Sequence, residues 1–123
     1  MEPQGLGIYF YDDRIRLFGK TMEDSGYPKY IHLLLMKEEK LLLVKGCDKR
    51  DNDAFKVLKR QNNGEWRYRI SCKAFVKYLA SLIGVPYPSD SLWFQNCLKS
   101  DEKTVIINLN KYQVLPYYSQ REQ

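Results

Sequence analysis

The 123-residue sequence lacks the features that mark most enzymes and disulfide-stabilised domains. It has a single histidine, His32, and no sequence feature identifies a second group that would orient it for acid or base chemistry. The three cysteines are widely spaced and have no histidine cluster near them, which argues against a zinc site or a disulfide framework. No Gly-rich phosphate loop, Ser-His-Asp order or Cys-x-x-Cys motif is present. We therefore predict a non-enzymatic protein with no catalytic residues, no metal and no cofactor.

Long apolar runs are also absent. No stretch approaches the roughly 20 residues needed to cross a bilayer, and the first residues lack the lysines or arginines of a signal peptide. The hydrophobic content of 44% is nevertheless sufficient for a core in a single domain spanning residues 1–123. We expect a cytoplasmic protein that does not interact with membranes.

The positive charge is concentrated in one part of the chain. The net charge is +5, but between residues 56 and 77 seven basic residues stand against Glu65 alone. Residues 1–28, in contrast, have more acidic than basic side chains. A local excess of this kind indicates an anionic partner, and nucleic acid is the partner that we predict first.

A seven-residue pattern occurs twice. Residues 14–20 read RIRLFGK, and residues 67–73, 53 positions later, read RYRISCK. In an extended strand, such alternation places basic residues on one face and apolar residues on the other. We interpret the chain as two β-α-β-β pseudo-repeats, residues 8–46 and 66–110, joined by a basic linking hairpin over residues 54–70.

Periodicity and turn residues predict the remaining elements. Apolar residues at helical spacing predict one clear helix over about residues 71–84. Two hairpins are predicted, one pairing residues 30–36 with 41–45 and the other pairing 91–98 with 104–109. The predicted fold class is α+β, a β-rich single domain for which a small barrel is one arrangement. Residues 116–123 are expected to form a flexible C-terminal tail.

The order strand, helix, hairpin resembles the repeat of the AbrB and MazE swapped-hairpin family, whose tandem version occurs in MraZ-like proteins. The resemblance lies in Ile70-Ser71-Cys72-Lys73, at the place of the family's Thr-Ile-Pro-Lys pattern, and in a helix that ends Leu82-Ile83-Gly84. It implies a DNA-binding barrel that regulates transcription or a mobile element. The basic residues that would then face phosphate and groove are Arg14, Arg16, Lys20, Arg67, Arg69 and Lys73.

Basic and aromatic residues together suit nucleic acid, because Lys and Arg release counterions and aromatic rings stack on bases. The predicted nucleic-acid-binding residues are Arg14, Arg16, Lys20, Lys56, Lys59, Arg60, Arg67, Arg69, Lys73 and Lys77. The alternative interpretation is that the arginines are only the solvated side of half-buried strands. The residues predicted as interface anchors, in a homodimer or with another protein, are Trp66, Trp93, Tyr117 and Tyr118.

Two other functions are compatible with the same residues. A small interaction module, such as a phage or mobile-element accessory protein that modulates a host protein, would use a tyrosine-rich sheet face or the C-terminal tail. A protein that binds single-stranded nucleic acid or RNA would use the same basic and aromatic side chains as a duplex-binding protein. The sequence does not distinguish these functions from the binding of duplex DNA.

Overall fold

The computed structural model describes residues 4–49, 52–87 and 90–115, so the predicted tail over residues 116–123 lies outside the described residues. The strands are β1 (Leu6–Tyr9), β2 (Arg14–Leu17), β3 (Tyr30–Met36), β4 (Leu41–Cys47), β5 (Phe55–Lys56), β6 (Leu58–Asn62), β7 (Glu65–Ser71), β8 (Ser91–Phe94), β9 (Cys97–Lys99), β10 (Thr104–Asn108) and β11 (Gln113–Leu115). The helices are α1 (Gly19–Asp24) and α2 (Lys73–Ile83). Within the described ranges, no helix has the length and apolar character to cross a membrane.

The strands form two antiparallel sheets. The first sheet has six strands in the order β11-β8-β1-β2-β7-β6, and the second has five in the order β5-β3-β4-β10-β9. Both sheets are open, because each ends in two edge strands, whereas a barrel requires every strand to have two neighbours. The small barrel considered from the sequence is therefore wrong, and the β-rich α+β class is confirmed.

Alternation along β2 decides which of its residues enter the core. Ile15 and Leu17 are buried, whereas Arg14 and Arg16 lie on the opposite face and are partly exposed. β2 pairs with β7 in an antiparallel register that places Ile15 opposite Ile70. The two strands that contain the repeated arginine pattern are therefore direct neighbours.

One hydrophobic cluster joins both sheets and both helices. The first sheet contributes Leu6, Ile8, Ile15, Leu17, Ile70, Leu92 and Phe94. The second sheet contributes Ile31, Leu42, Val44, Val105 and Ile107, and the helices contribute Met22, Val76, Leu79 and Ala80. Because these side chains are removed from water, their burial is the main favourable contribution to the stability of the fold.

Within the described residues the chain changes sheets four times: through α1, through residues 109–112, and at two short corners between consecutive strands. The first hairpin, β3 with β4, follows the prediction, but residues 91–98 do not form the single strand predicted for the second hairpin. Instead, β8 pairs with β1 in the first sheet and β9 pairs with β10 in the second. Val57 makes a similar passage between β5 and β6. Alternation of polar and apolar residues predicts that a segment forms a strand, but it does not predict which strand the segment pairs with. That pairing depends on which sheet has an inner apolar face that the segment can cover.

Hydrogen bonds of two buried hydroxyl groups hold α1 in place. The Thr21 hydroxyl accepts a hydrogen bond from the Gly5 N–H at 2.8 Å, and the Ser25 hydroxyl donates to the Thr21 carbonyl oxygen at 2.8 Å. Both hydroxyl residues are buried, so these bonds satisfy polar groups that water cannot reach. α1 contacts β7 of the first sheet and β10 of the second.

α2 lies inside the predicted range of 71–84 and buries Val76 and Leu79 in the core. Gly84 ends it in the left-handed conformation, with a φ angle of 89°, as is common for glycine after a helix. Cys72 precedes the helix, and burial raises the pKa of its thiol to about 12. Cys72 is therefore a packed thiol without nucleophilic character.

We expect Gly46→Ala to lower the free energy of unfolding by about 2 kcal/mol. A Cβ atom at this position in β4 would overlap the carbonyl oxygen of Ser25 and lie 2.9 Å from Pro28 Cβ. Gly7→Ala is the matched control, because its Cβ would lie 3.4 Å from the nearest atom, in the Phe18 ring. Urea unfolding followed by circular dichroism measures both variants. Equal stability of the two would contradict the packing described for Gly46.

Candidate functional site

Five arginines lie on the outer face of three adjacent strands of the first sheet. They are Arg14 and Arg16 in β2, Arg60 in β6, and Arg67 and Arg69 in β7. Arg16 lies directly opposite Arg69, and Arg60 lies directly opposite Arg67. The Cβ atoms of directly opposite residues are about 5 Å apart. We call this surface the arginine face.

The arginines repel one another in a partly desolvated environment. Burial, together with the charges of Arg14 and Arg60, lowers the pKa of Arg69 from its ordinary value. The guanidinium nevertheless stays protonated at neutral pH, because the pKa of arginine is far above 7. Arg69 Nε is also shielded from solvent and has no hydrogen-bond partner. A bound anion would offset the repulsion and supply an acceptor.

Two carboxylates flank the arginine face. Asp12 Oδ2 lies 3.3 Å from Arg14 Nε, and Glu65 occupies the same side of β7 at the start of the strand. Burial raises the pKa of Asp12, although the nearby charges of Arg14 and Arg69 favour its ionised form. Five arginines against two carboxylates leave an excess of positive charge, which attracts a polyanion.

Aromatic rings adjoin the arginines on this face. Arg16 Cζ lies 4.5 Å from the centre of the Phe18 ring, and the Phe18 and Trp93 ring centres are 5.3 Å apart. The indole nitrogen of Trp93 donates a hydrogen bond to the Gln4 carbonyl oxygen at 3.1 Å, which fixes the ring. Phe18 is only 7% exposed, so it orients the guanidinium and offers little free surface for stacking.

Several predicted binding residues lie away from this face. Lys20, in α1, forms ion pairs with Asp24 at 3.3 Å and with Glu23 at 3.8 Å. Lys73 and Lys77 are exposed on α2, outside the arginine face. Both lysines come after Arg67 and Arg69 in the sequence, but the chain leaves the first sheet at Cys72 and α2 begins at Lys73.

The predicted interface residues are divided among different surfaces. Trp93 lies beside the arginine face, as described above. Trp66 is 50% exposed, and the Lys59 ammonium lies 5.3 Å from the centre of its ring. Tyr117 and Tyr118 lie outside the described residues.

A pocket of about 440 Å³ lies at the corner where the chain passes from β5 to β6. We call it the corner pocket. Its walls include three lysines and three tyrosines: Lys29, Lys56, Lys59, Tyr27, Tyr30 and Tyr68. Lys56 and Lys59 are among the binding residues predicted from the sequence, and the other four are not. No local pattern predicts that residues 27–30 meet the linking hairpin.

The outer face of the second sheet includes a row of apolar residues. Four residues lie opposite one another across β3, β4, β10 and β9, and we call them the apolar row: Leu34, Leu43, Ile106 and Leu98. Leu98 is 68% exposed and Leu34 is 50% exposed. Contiguous apolar side chains on a surface mark interaction sites. The sheet face considered from the sequence as a protein-binding surface was rich in tyrosine, and this row was not predicted.

The described residues contain no typical catalytic or metal site. No three His, Cys, Asp or Glu side chains in these ranges come close enough to hold a metal ion. His32 lies opposite Lys45 on the outer side of the second sheet. Burial raises the pKa of Cys97 as well as that of Cys72, so neither thiol is activated as a nucleophile. The arrangement suits electrostatic binding.

Comparisons with protein-family models, with curated proteins and with solved structures found no match for this chain. The function is therefore inferred from the chemistry of its surfaces. Of the surfaces described above, the arginine face groups five like charges on three adjacent strands, and such a face favours an anionic partner.

Asp12→Asn is expected to strengthen the binding of a polyanion, because it removes the carboxylate that partly neutralises Arg14. The variant should elute from a heparin column at higher salt than the wild-type protein does. Asp48→Asn is the matched control, since Asp48 Oδ2 also forms an ion pair, 3.4 Å from Lys103 Nζ, but beside the second sheet. The two variants have the same net charge, so identical elution would contradict a specific role for the arginine face.

Proposed function

We propose that this protein binds nucleic acid and that the arginine face holds phosphates of the ligand. The observation that carries the proposal is the presence of five arginines on three adjacent strands, with two pairs directly opposite each other. The planar guanidinium group donates paired hydrogen bonds to phosphate oxygens. A phosphate backbone would therefore accept hydrogen bonds from this face and reduce the repulsion among the arginines. Binding of this kind requires no catalytic residue.

The alternative, that the arginines are only the solvated side of the strands, has less support. A solvated sheet face gains stability from cross-strand pairs of opposite charge, and like charges in directly opposite positions destabilise it. Here arginine lies directly opposite arginine in the strand register at Arg16 and Arg69 and again at Arg60 and Arg67. Arg67 and Arg69 are also only partly exposed, so their charges are not fully solvated.

Duplex DNA is the ligand implied by the resemblance to swapped-hairpin regulators, and the shape of the face limits how a duplex would bind. Six strands spaced about 4.8 Å apart make a sheet about 24 Å wide, whereas the major groove is about 12 Å wide. If the sheet lies flat on the duplex it is too wide to enter the groove, so in that orientation the arginines would contact the phosphates. Affinity would then depend strongly on salt and weakly on base sequence.

The pairing of β2 with β7 supports the two-repeat interpretation. The corresponding Arg-x-Arg segments lie side by side and run in opposite directions, as a two-fold axis between them would require. β4 and β10 are also antiparallel neighbours. On this basis the arginine face is one surface built by both repeats, and regulation of transcription or of a mobile element is the role that we infer for it.

Replacing Arg60, Arg67 and Arg69 by glutamine is expected to weaken the binding of a nucleic-acid probe at least about tenfold at low salt. The loss of three phosphate contacts should also reduce the slope of log affinity against log salt by about 2 to 3. Fluorescence anisotropy with labelled duplex DNA, single-stranded DNA and RNA, at low and near-physiological salt, measures both effects.

The matched control replaces Lys45, Lys49 and Lys99 by glutamine. These three lysines belong to the second sheet or to the loop after β4, so the same charge is lost away from the arginine face. If the two variants lose the same amount of affinity for the probe, binding depends on net charge alone. If urea unfolding shows a large loss of stability in the arginine variant, those arginines instead have a structural role.

The apolar row supports a second function, self-association, which is compatible with the first. The row contains no charged residue and lies across four strands, so an identical row on a second copy is complementary to it in a two-fold dimer. The occupant that we propose is therefore a second copy of the chain. Two copies packed through their second sheets would present their arginine faces on opposite sides of the dimer.

The double variant Leu34→Gln with Leu98→Gln is expected to shift the protein from dimer to monomer, because it places two uncompensated amide groups in the apolar contact. Sedimentation equilibrium measures the association constant. Val114→Gln is the control, since Val114 is 55% exposed but lies in β11 of the first sheet. A wild-type protein that remains monomeric over the accessible concentration range would contradict the proposed dimer.

A further inference from the structure

The corner pocket is framed by backbone that is already held in place. The Val57 N–H donates a hydrogen bond to the Lys29 carbonyl oxygen at 2.9 Å and so joins the corner to the segment after α1. The Tyr27 N–H donates to the Met22 carbonyl oxygen at 2.8 Å and fixes the same segment to the helix. The volume of about 440 Å³ falls in the range of sites that bind small molecules or single nucleotides.

The pocket contains positive charge without a carboxylate partner. Lys29, Lys56 and Lys59 all line it, and none of the three forms an ion pair in the described part of the chain. Three positively charged residues at one cavity raise its positive potential, and a phosphate group placed among them would lower it. The charge of the walls therefore favours a phosphate-containing ligand.

The same pocket offers aromatic surface. Tyr27 is 54% exposed, and its ring centre lies 6.1 Å from that of Tyr68, with an angle of 55° between the ring planes. Tyr30 contributes a third ring to the walls. Aromatic side chains of this kind stack on nucleic-acid bases whatever the base, because every base has a π face. The lysines match the phosphate of a nucleotide, and the tyrosines match its base.

The backbone of Tyr27 gives an independent indication of a functional role. Its φ angle is +48°, in the left-handed region that bulky side chains rarely adopt. Such conformations carry a cost in stability and are concentrated at binding sites. Since Tyr27 is an exposed residue, burial of its ring in the core offsets little of this cost. The strained turn holds the ring at the mouth of the pocket.

A second, smaller cavity adjoins the corner pocket and includes a residue of the arginine face in its walls. It has a volume of about 290 Å³ and shares Tyr27 and Tyr68 with the corner pocket. Its other walls include Arg16, of the arginine face, and Trp66. A flexible phosphate backbone could therefore run from the arginine face along this cavity and deliver a nucleotide to the corner pocket.

We infer that the corner pocket takes one unpaired nucleotide of a single-stranded nucleic acid, whose backbone continues onto the arginine face. The inference rests on the proposed nucleic-acid binding and specifies the class of ligand. In a duplex, each base is paired and stacked, so it would have to be extruded from the helix before it could enter. In a single strand, the base stacks on the tyrosines at no such cost, and the lysines hold its phosphate.

The test uses a labelled DNA strand of about 16 nucleotides, alone and annealed to its complement, in fluorescence anisotropy at low salt. The wild-type protein should bind the single strand more tightly than the duplex. Tyr27→Asn should weaken single-strand binding about tenfold and leave duplex binding nearly unchanged. Asparagine readily adopts a positive φ angle, so this variant should fold as stably as the wild-type protein. Tyr78→Ala is the control, because Tyr78 is also exposed, at 41%, but lies on α2.

A double variant, Lys56→Gln with Lys59→Gln, tests the phosphate contact independently of the tyrosine ring, and Lys45→Gln with Lys99→Gln is its charge-matched control. One outcome would overturn the pocket assignment and leave the proposed function intact. In that outcome, single-strand affinity is unchanged in the Tyr27 and Lys56/Lys59 variants, but it is weakened in the Arg60/Arg67/Arg69 variant. Wild-type duplex binding as tight as single-strand binding would also overturn the assignment. An unaffected arginine variant would overturn the proposed function and this inference with it.

A competition experiment distinguishes a single strand from a free nucleotide as the ligand of the corner pocket. Adenosine monophosphate should displace the labelled strand only weakly, because it makes none of the contacts to the arginine face. If the mononucleotide binds the wild-type protein more tightly than the strand does, and Tyr27→Asn abolishes that binding, the ligand is a free nucleotide. That result would overturn the inference of a single strand.

Discussion

The antiparallel pairing of β2 with β7 is the contact on which the rest of the structure depends. On the inner side it places Ile15 against Ile70 in the core. On the outer side the same register places Arg16 beside Arg69. Side chains alternate along a strand with a period of two, so a slip of one residue would bury the arginines and expose the isoleucines. The stability of the core and the charge of the surface are therefore set by one register.

A comparison of two free energies explains how the protein keeps like charges close together on one surface. Full burial of an aliphatic side chain such as Ile15 or Ile70 contributes about 2 kcal/mol, and a like-charge pair across two strands costs up to about 1 kcal/mol. Burial on the inner face therefore outweighs repulsion on the outer face. The register of the core strands sets the backbone positions of these arginines, so the proposed phosphate ligand would meet side chains that start from fixed positions.

The candidate site could be predicted only in part from the sequence. Alternation in residues 14–17 and 67–70 places the arginines of each strand on the side opposite its core residues, and the structure brings Arg60 to the same surface. Lys73 follows the same pattern but belongs to a helix, which directs side chains around its axis instead of to one face of a sheet. Lys29 reaches the corner pocket because β5 pairs with β3, a contact between segments that no local pattern connects.

Four properties of the protein follow from its residue pattern alone: the β-rich α+β class, the position of α2, the first hairpin and the positive charge of the arginines on β2 and β7. They depend on the spacing of side chains along a single segment, because the periods of a strand and of a helix assign each side chain to one face. Three other properties appear only in the folded chain: β2 and β7 are neighbours, residues 91–98 divide between two sheets, and the sheets stay open around a corner pocket. Strand pairing is selected by the apolar area buried between distant segments, and that area is a property of the whole fold.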